Sequence, residues 1–238
     1  MLTFDDVTAL ISAQRQGAWA EVARRIAHEV KNPLTPIRLS AERLSRKYAA
    51  GLGPEREAFQ KIVDTIIRQV DTIGRLIGEF SAFARMPAAV LKPEPLQPLI
   101  EEAVLLQQAA WPGLQFEAHV PDAPVELLCD GPKLSQVLTN LLQNAAQAMS
   151  EDGRQGRVTA TLRRQGHQVV VEIEDEGPGF PADRRRLLEP YVTTRGAGTG
   201  LGLAIVRKIM EEHAGTVELL SGPRGGALVR LTFPDRRG

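Results

Sequence analysis

A single cysteine, Cys129, stands in 238 residues, which excludes an internal disulfide and any metal site built on several thiolates. It fits a reducing compartment. Aromatic residues are scarce at 5%, so the cores must be aliphatic, as in helical bundles and helix-on-sheet layers. The 29 basic and 29 acidic residues cancel, which removes any bulk electrostatic reason to bind nucleic acid. No apolar run approaches the roughly 20 residues needed to cross a bilayer, and the N-terminus carries no signal-peptide pattern. The chain is therefore expected to be soluble and cytoplasmic, with no membrane contact of its own. It is read as cytoplasmic, or as the cytoplasmic portion of a longer inner-membrane protein.

What is present points to two modest domains, since 238 residues exceed one minimal core. From about Ser12 to Arg85 the chain reads as helix, interrupted at Gly51-Leu52-Gly53-Pro54, where glycines stop one helix and proline starts the next. Ile62, Ile66, Ile67, Val70, Ile73, Leu76, Ile77 and Phe80 recur at three- and four-residue steps, the stripe of an amphipathic helix. Trp19, Val22, Ile26, Val30, Ile37 and Leu44 trace a second stripe upstream. Two such helices bury too little alone, so a homodimer of hairpins forming a four-helix bundle is expected. The fold class is thus α+β: this antiparallel hairpin over 12–86, a Pro-rich linker over 87–98, and an α/β sandwich over 99–238. In the sandwich, helices are expected near 97–110, 131–150 and 201–213. Strands are expected near 115–120, 124–129, 157–163, 168–175, 215–220 and 226–233, forming a mixed sheet. Leu2-Thr3-Phe4-Asp5-Asp6 look like a short strand and turn with nothing to pair with, so residues 1–11 are read as the remnant of an upstream domain.

Three motifs in the second half suggest a phosphate ligand. Asn140 and Asn144 lie four apart on one face of a helix whose other face carries Leu138, Leu141, Leu142 and Ala145. Two amides so placed can hold a hard cation such as Mg²⁺ and reach phosphate oxygens, although Asn is also common on any wet helix face. Asp175-Glu-Gly177-Pro-Gly179 follows the apolar strand Val169 to Ile173. Such a sequence is a common turn; a functional Asp there would accept a hydrogen bond from the exocyclic amine of adenine. Gly196-Ala-Gly198-Thr199-Gly200-Leu201-Gly202 leads into a helix, so its N–H groups and the helix N-terminus would face an anion. The loop lacks the lysine and Ser/Thr of a Walker motif and sits too late for a dinucleotide fold.

In order, and with an irregular lid between the last two, these motifs resemble the ATP-binding domain shared by histidine kinases, gyrases, Hsp90 chaperones and MutL mismatch-repair proteins. Leu188-Glu-Pro-Tyr191-Val-Thr-Thr194-Arg195 resembles the additional lid motif of the kinases, and Gly225-Gly226-Ala227 their last glycine element. The resemblance implies that Asn144 holds Mg²⁺, Asn140 stands beside the phosphates and Asp175 binds adenine. It likewise implies that Gly177, Gly179, Thr194, Arg195, Gly198, Thr199, Gly200, Leu201 and Gly202 line the nucleotide. Many members carry a lysine where this chain has Gln147, so a phosphate contact must come from elsewhere, with Arg195 a candidate.

His28-Glu29-Val30-Lys31-Asn32-Pro33-Leu34-Thr35-Pro36 stands within the first helix. A lone helical histidine is usually structural, but here Glu29 adjoins it, Asn32 lies one turn on, and two prolines follow inside the helical pattern. Neutral imidazole is a good nucleophile near neutral pH, and a carboxylate can take its other proton. The segment resembles the phospho-acceptor motif of sensor histidine kinases, and from Ala18 to Tyr48 it is most similar to their NtrY-like nitrogen-regulation branch. The resemblance implies autophosphorylation of His28 with ATP and Mg²⁺, and transfer to an aspartate of a response-regulator receiver domain. It extends to a phosphatase role for Glu29 and Asn32, and makes residues 1–11 the end of a PAS sensor domain. Two other readings compete with this one: an ATP-driven machine of the gyrase or chaperone type, and a dimerisation module with decayed ATP binding. The His28 motif opposes the first, and intact Asn144, Asp175 and glycines oppose the second.

Overall fold

The computed structural model describes residues 8–48, 51, 53–84, 86–151, 153, 155–193 and 199–235; at 8–26, 28, 75, 79, 82 and 83 it describes the backbone. The chain divides into two units, Met1–Pro87 and Ala88–Gly238.

The first unit is a helical hairpin. Helix α1 runs Thr8–Tyr48 and α2 runs Arg56–Ala84, joined through a 3₁₀ turn at Gly53–Glu55. Gly53 takes φ +50°, a left-handed conformation that lets the chain reverse before Pro54. The helix begins at Thr8 rather than Ser12, so residues 8–11 belong to it; residues 1–7 lie outside the described residues. It continues through Pro33 and Pro36 as one element. Each proline lacks the N–H that would otherwise bond the carbonyl four residues back, Glu29 for Pro33 and Asn32 for Pro36. Between the helices Ala27, Ala41, Val63, Val70 and Ser81 are buried. Arg38 bridges to Asp71 at 3.3 Å, and the Ser45 hydroxyl donates to Gln60 at 2.9 Å. The outer apolar stripe stays in solvent, with Ile62 61% and Ile37 47% exposed.

The second unit layers helices on a mixed sheet. Strands β2 (Gln115–His119), β4 (Arg157–Gln165), β5 (Gln168–Asp175), β7 (Ala227–Pro234) and β6 (Thr216–Ser221) form one sheet in the order β2-β4-β5-β7-β6. Only β2 and β4 run parallel; the other pairs are antiparallel. Along β7 burial alternates, with Ala227, Val229, Leu231 and Phe233 inward, the period of a strand with one covered face. Covering it are α3 (Leu96–Ala110), α4 (Gly131–Glu151) and α5 (Gly202–Glu212). Helix α4 buries Leu134, Val137, Leu138, Leu141, Leu142, Ala145, Ala146 and Met149, the stripe expected of it.

One segment departs from the reading as linker. Residues Lys92–Pro95 form strand β1, antiparallel to β3 (Glu126–Cys129), and α3 starts at Leu96. Prolines signal a break, yet Pro93 and Pro95 are two apart. Both missing donors therefore fall on one edge, and Lys92 and Glu94 remain to pair in a two-stranded sheet. The ordered second unit thus begins before residue 99.

Where α4 begins, Asp130 gathers three segments. Its carboxylate accepts from the N–H of Lys133 at 3.2 Å, capping the helix, and from the N–H of Val90 at 2.9 Å. Its own N–H donates to Nε2 of buried His213, whose Nδ1 lies 2.7 Å from the Ile209 carbonyl. A carbonyl only accepts, so Nδ1 carries the proton and the ring is neutral. Burial acts to raise the Asp130 pKa, but the N–H groups of Val90 and Lys133, followed by the Lys133 ammonium, outweigh it and hold the carboxyl below its ordinary value. A depressed carboxyl pKa stabilises the fold above the unfolded-state value, and that contribution is lost as pH falls through the folded-state value. Asp130→Ala should cost about 1 kcal/mol near neutral pH. In denaturant melts the difference from wild type should shrink as pH falls below the ordinary carboxylate value; a difference that does not change with pH would show that the charge contributes nothing.

Candidate functional site

Helix α4 aligns the first two motifs. Asn140 and Asn144 are half-buried on the face opposite the apolar stripe, and Ala148 continues that face one turn further. Asn140 Nδ2 donates to the Gly202 carbonyl at 3.5 Å, a long bond. A Cβ placed on Gly202 would lie 3.5 Å from Asn144 Nδ2, so the start of α5 sits directly against the Asn144 amide. A Cβ on Gly177 would lie 3.7 Å from the Ala148 Cβ and 3.4 Å from Met149. The glycine loop and the Asp175 turn therefore meet the same column of α4 side chains, one turn apart.

Asp175 ends β5 and is 5% exposed. Its Oδ1 accepts from the N–H of Gly177 at 2.8 Å and of Ala227 at 3.1 Å. Two fixed donors on one oxygen set the orientation of the whole carboxylate. The neighbouring glycines are sterically required: a Cβ on Gly177 would lie 2.8 Å from Asp175 Oδ1, and one on Gly226 would lie 1.9 Å from the Asp175 carbonyl oxygen. Gly179 takes φ +79° and approaches the carbonyls of Gly225 and Gly226.

Thr199 to Gly202 lead into α5. The Thr199 hydroxyl accepts from the Leu201 N–H at 3.2 Å, and Gly200 takes φ +67°. A Cβ on Gly200 would sit 2.6 Å from the Tyr191 carbonyl carbon, while its own carbonyl accepts from the Tyr191 N–H at 3.0 Å. This pins the two flanks of the lid together. Thr194, Arg195 and Gly198 lie outside the described residues. Gln147 is exposed.

The structure thus brings Asn140, Asn144 and Thr199–Gly202 together, and separately joins Asp175, Gly177 and Gly179 to the turn before β7. Sequence reading misses the charged support behind Asp175, where Arg224 pairs with Glu174 and Glu176. A lone Arg in a Pro/Gly turn gives no signal of its partners. The glycines with the amides of Asn140 and Asn144 and the carboxylate of Asp175 fit a nucleotide. No cluster of three His, Cys, Asp or Glu able to hold a metal occurs among the described residues. A cation here would take amide and phosphate oxygens, which suits a hard ion.

In the first unit, His28 lies on the α1 backbone, its side chain outside the described residues. Glu29 and Asn32 are exposed, and Asn32 is one turn from His28. The Lys31 ammonium reaches across to α2, 3.7 Å from where a Cβ of Gly78 would lie. No helix among the described residues is long and apolar enough to cross a membrane.

Residues 129–237 match the family described as histidine kinase-, DNA gyrase B- and HSP90-like ATPase, and residues 18–89 match the His Kinase A (phospho-acceptor) domain. The nitrogen regulation protein NtrY of Azorhizobium caulinodans is 53% identical over 98% of this chain. The sensor histidine kinase ZraS of Escherichia coli K12 is 31% identical over 91% of it. The chain spans 31% of the length of the first protein and 46% of the second. A crystal structure of full-length ShkA in complex with AMPPNP superposes with a TM-score of 0.68 at 26% identity, covering 90% of this chain and 45% of that one.

Proposed function

Because this chain belongs to the sensor histidine kinases, in their NtrY-like branch, we propose that it binds ATP with Mg²⁺ and transfers the γ-phosphoryl group to His28. The observation that carries this is the convergence of Asn140, Asn144 and the Gly202 helix start on one face of α4, beside a buried, oriented Asp175.

In this reading the Asp175 carboxylate accepts a hydrogen bond from the adenine amine. Asn144 offers its amide oxygen to Mg²⁺, which would neutralise phosphate charge; Asn140 stands beside the phosphates. The N-terminal turn of α5 adds the positive end of its dipole. Thr194, Arg195 and Gly198 complete the lid side of the site in this proposal. A neutral His28 ring nitrogen forms the new P–N bond as the bond from the γ-phosphorus to the ADP oxygen breaks. Glu29 takes the proton from the other ring nitrogen. The phosphoryl group then passes to an aspartate of a response-regulator receiver domain, and Glu29 with Asn32 orients water for the reverse regulation, dephosphorylation of that aspartate. Incubation with γ-labelled ATP and Mg²⁺ tests this: the label should be lost in acid and survive alkali. An acid-stable label would place the phosphoryl group on a hydroxyl residue and overturn the reading.

Assembly follows from the hairpin's exposed stripe. Ile37, Leu44, Ile62, Ile66 and Ile73 all face solvent in one copy, and a second hairpin would cover them as a four-helix bundle. Residues 8–87 should therefore run as a dimer in light scattering, whereas 88–238 should be monomeric. A monomeric hairpin fragment would contradict the bundle.

A further inference from the structure

The turn that delivers Gly226 and Ala227 to Asp175 also carries Arg224, and this residue grips the same strand end from the opposite face of the sheet. Arg224 Nε lies 3.2 Å from Glu174 Oε1, Nη1 lies 2.9 Å from Glu176 Oε1, and Nη2 lies 3.4 Å from Thr159 Oγ1. Glu174 and Glu176 flank Asp175 in sequence. Because strand side chains alternate, they emerge opposite the buried carboxylate. One guanidinium therefore spans both neighbours of Asp175.

The far side of this arrangement is equally fixed. Glu176 Oε2 accepts from the N–H of Arg157 at 3.2 Å, so the glutamate is itself anchored to β4. Within the turn, the Gly222 N–H donates to the Gly226 carbonyl at 2.8 Å and the Gly225 N–H to the Gly222 carbonyl at 3.0 Å. The loop is closed on itself, and a displacement of Arg224 carries Gly226 and Ala227 with it. Those two residues touch Asp175 directly. Gly226 seats on its backbone, and the Ala227 N–H holds Oδ1.

We infer that Arg224 is a positioning residue for base recognition: it clamps the β6–β7 turn to both neighbours of Asp175 and so sets the carboxylate's orientation toward adenine. This rests on the reading of Asp175 as the adenine acceptor. The Arg224 side chain is 39% exposed, so each ion pair alone is weak; a single guanidinium shared by two carboxylates is stiffer than either pair. The effect should fall on base binding and leave phosphate handling alone, since Asn140 and Asn144 are placed against the α5 start instead.

The test is calorimetric binding of adenosine and of ATP with Mg²⁺ to the full chain, alongside autophosphorylation kinetics. Arg224→Gln should weaken adenosine and ATP by the same factor, about three- to tenfold. KM for ATP should rise in step, with kcat at saturating ATP unchanged. Arg224→Lys should recover part of the loss, and Glu174→Gln with Glu176→Gln should add little in the Arg224→Gln background, because the partners act as one unit. The inference is overturned if Arg224→Gln binds adenosine as tightly as wild type, if only ATP binding weakens, or if kcat falls with KM unchanged. Should Arg224→Gln fail to fold, Glu176→Gln alone must show the same matched loss. A wild-type chain that binds neither adenosine nor ATP would instead remove the nucleotide-site reading itself.

Discussion

His28→Gln in the full chain should abolish incorporation of label from γ-labelled ATP. Glutamine is close in size but its amide has no nucleophilic nitrogen at neutral pH, whereas a neutral imidazole does. ATP affinity should stay within about threefold of wild type, because the acceptor and the nucleotide motifs lie in separate units, and independent sites contribute additively. Autoradiography and calorimetry on the same preparation separate the two effects. A variant that labels as well as wild type would move the acceptor to another residue. One that neither labels nor binds ATP would show that the substitution had damaged more than the acceptor.

The second large effect divides base recognition from phosphate handling. In Asp175→Asn the amide oxygen can still accept from the Gly177 and Ala227 N–H groups, which turns its NH₂ toward the adenine amine. Two donors then face each other in a buried site, a mismatch of about 1–3 kcal/mol, and affinity for both adenosine and ATP should fall about five- to a hundredfold. Asn144→Asp keeps an oxygen ligand but places a negative charge beside the phosphates, so it should depress autophosphorylation more than nucleotide binding. Adenosine binding should respond to Asp175 and ignore both Asn144 and Mg²⁺. If Asn144→Asp weakens adenosine as much as ATP, the metal has been assigned to the wrong motif.

Elements with a strong period are legible in the amino-acid sequence alone. The α4 stripe and the alternation of β7 each come from burying one face, which writes a period of 3.6 or 2 into the chain, while β5, buried on both faces, shows as a continuous apolar run. The turn at Gly53–Pro54 is equally plain, since glycine and proline act through the local backbone. Strand β1 is not legible: two prolines read locally as linker, and only a distant partner strand, Glu126–Cys129 opposite Lys92–Pro95, makes them an edge. The same reason hides the hub at Asp130, whose partners Val90 and His213 come from distant segments. In the candidate site, Asn140, Asn144, Asp175 and the glycines are legible because three motifs occur together and in order, each of them alone being a common helix face, turn or loop. The support around them, Ala148 under Gly177 and Arg224 behind Glu174 and Glu176, uses residue types that occur everywhere and gain meaning only from contact.

Transfer of the phosphoryl group to His28 is tested most directly by peptide mapping of the labelled full chain under alkaline conditions. After reaction with γ-labelled ATP and Mg²⁺, digestion and tandem mass spectrometry should place the modification on the peptide containing His28-Glu29-Val30-Lys31, with the peptides of His119, His167 and His213 unmodified. Label on any other residue, or full ATP binding with no modified peptide at all, would contradict the assignment.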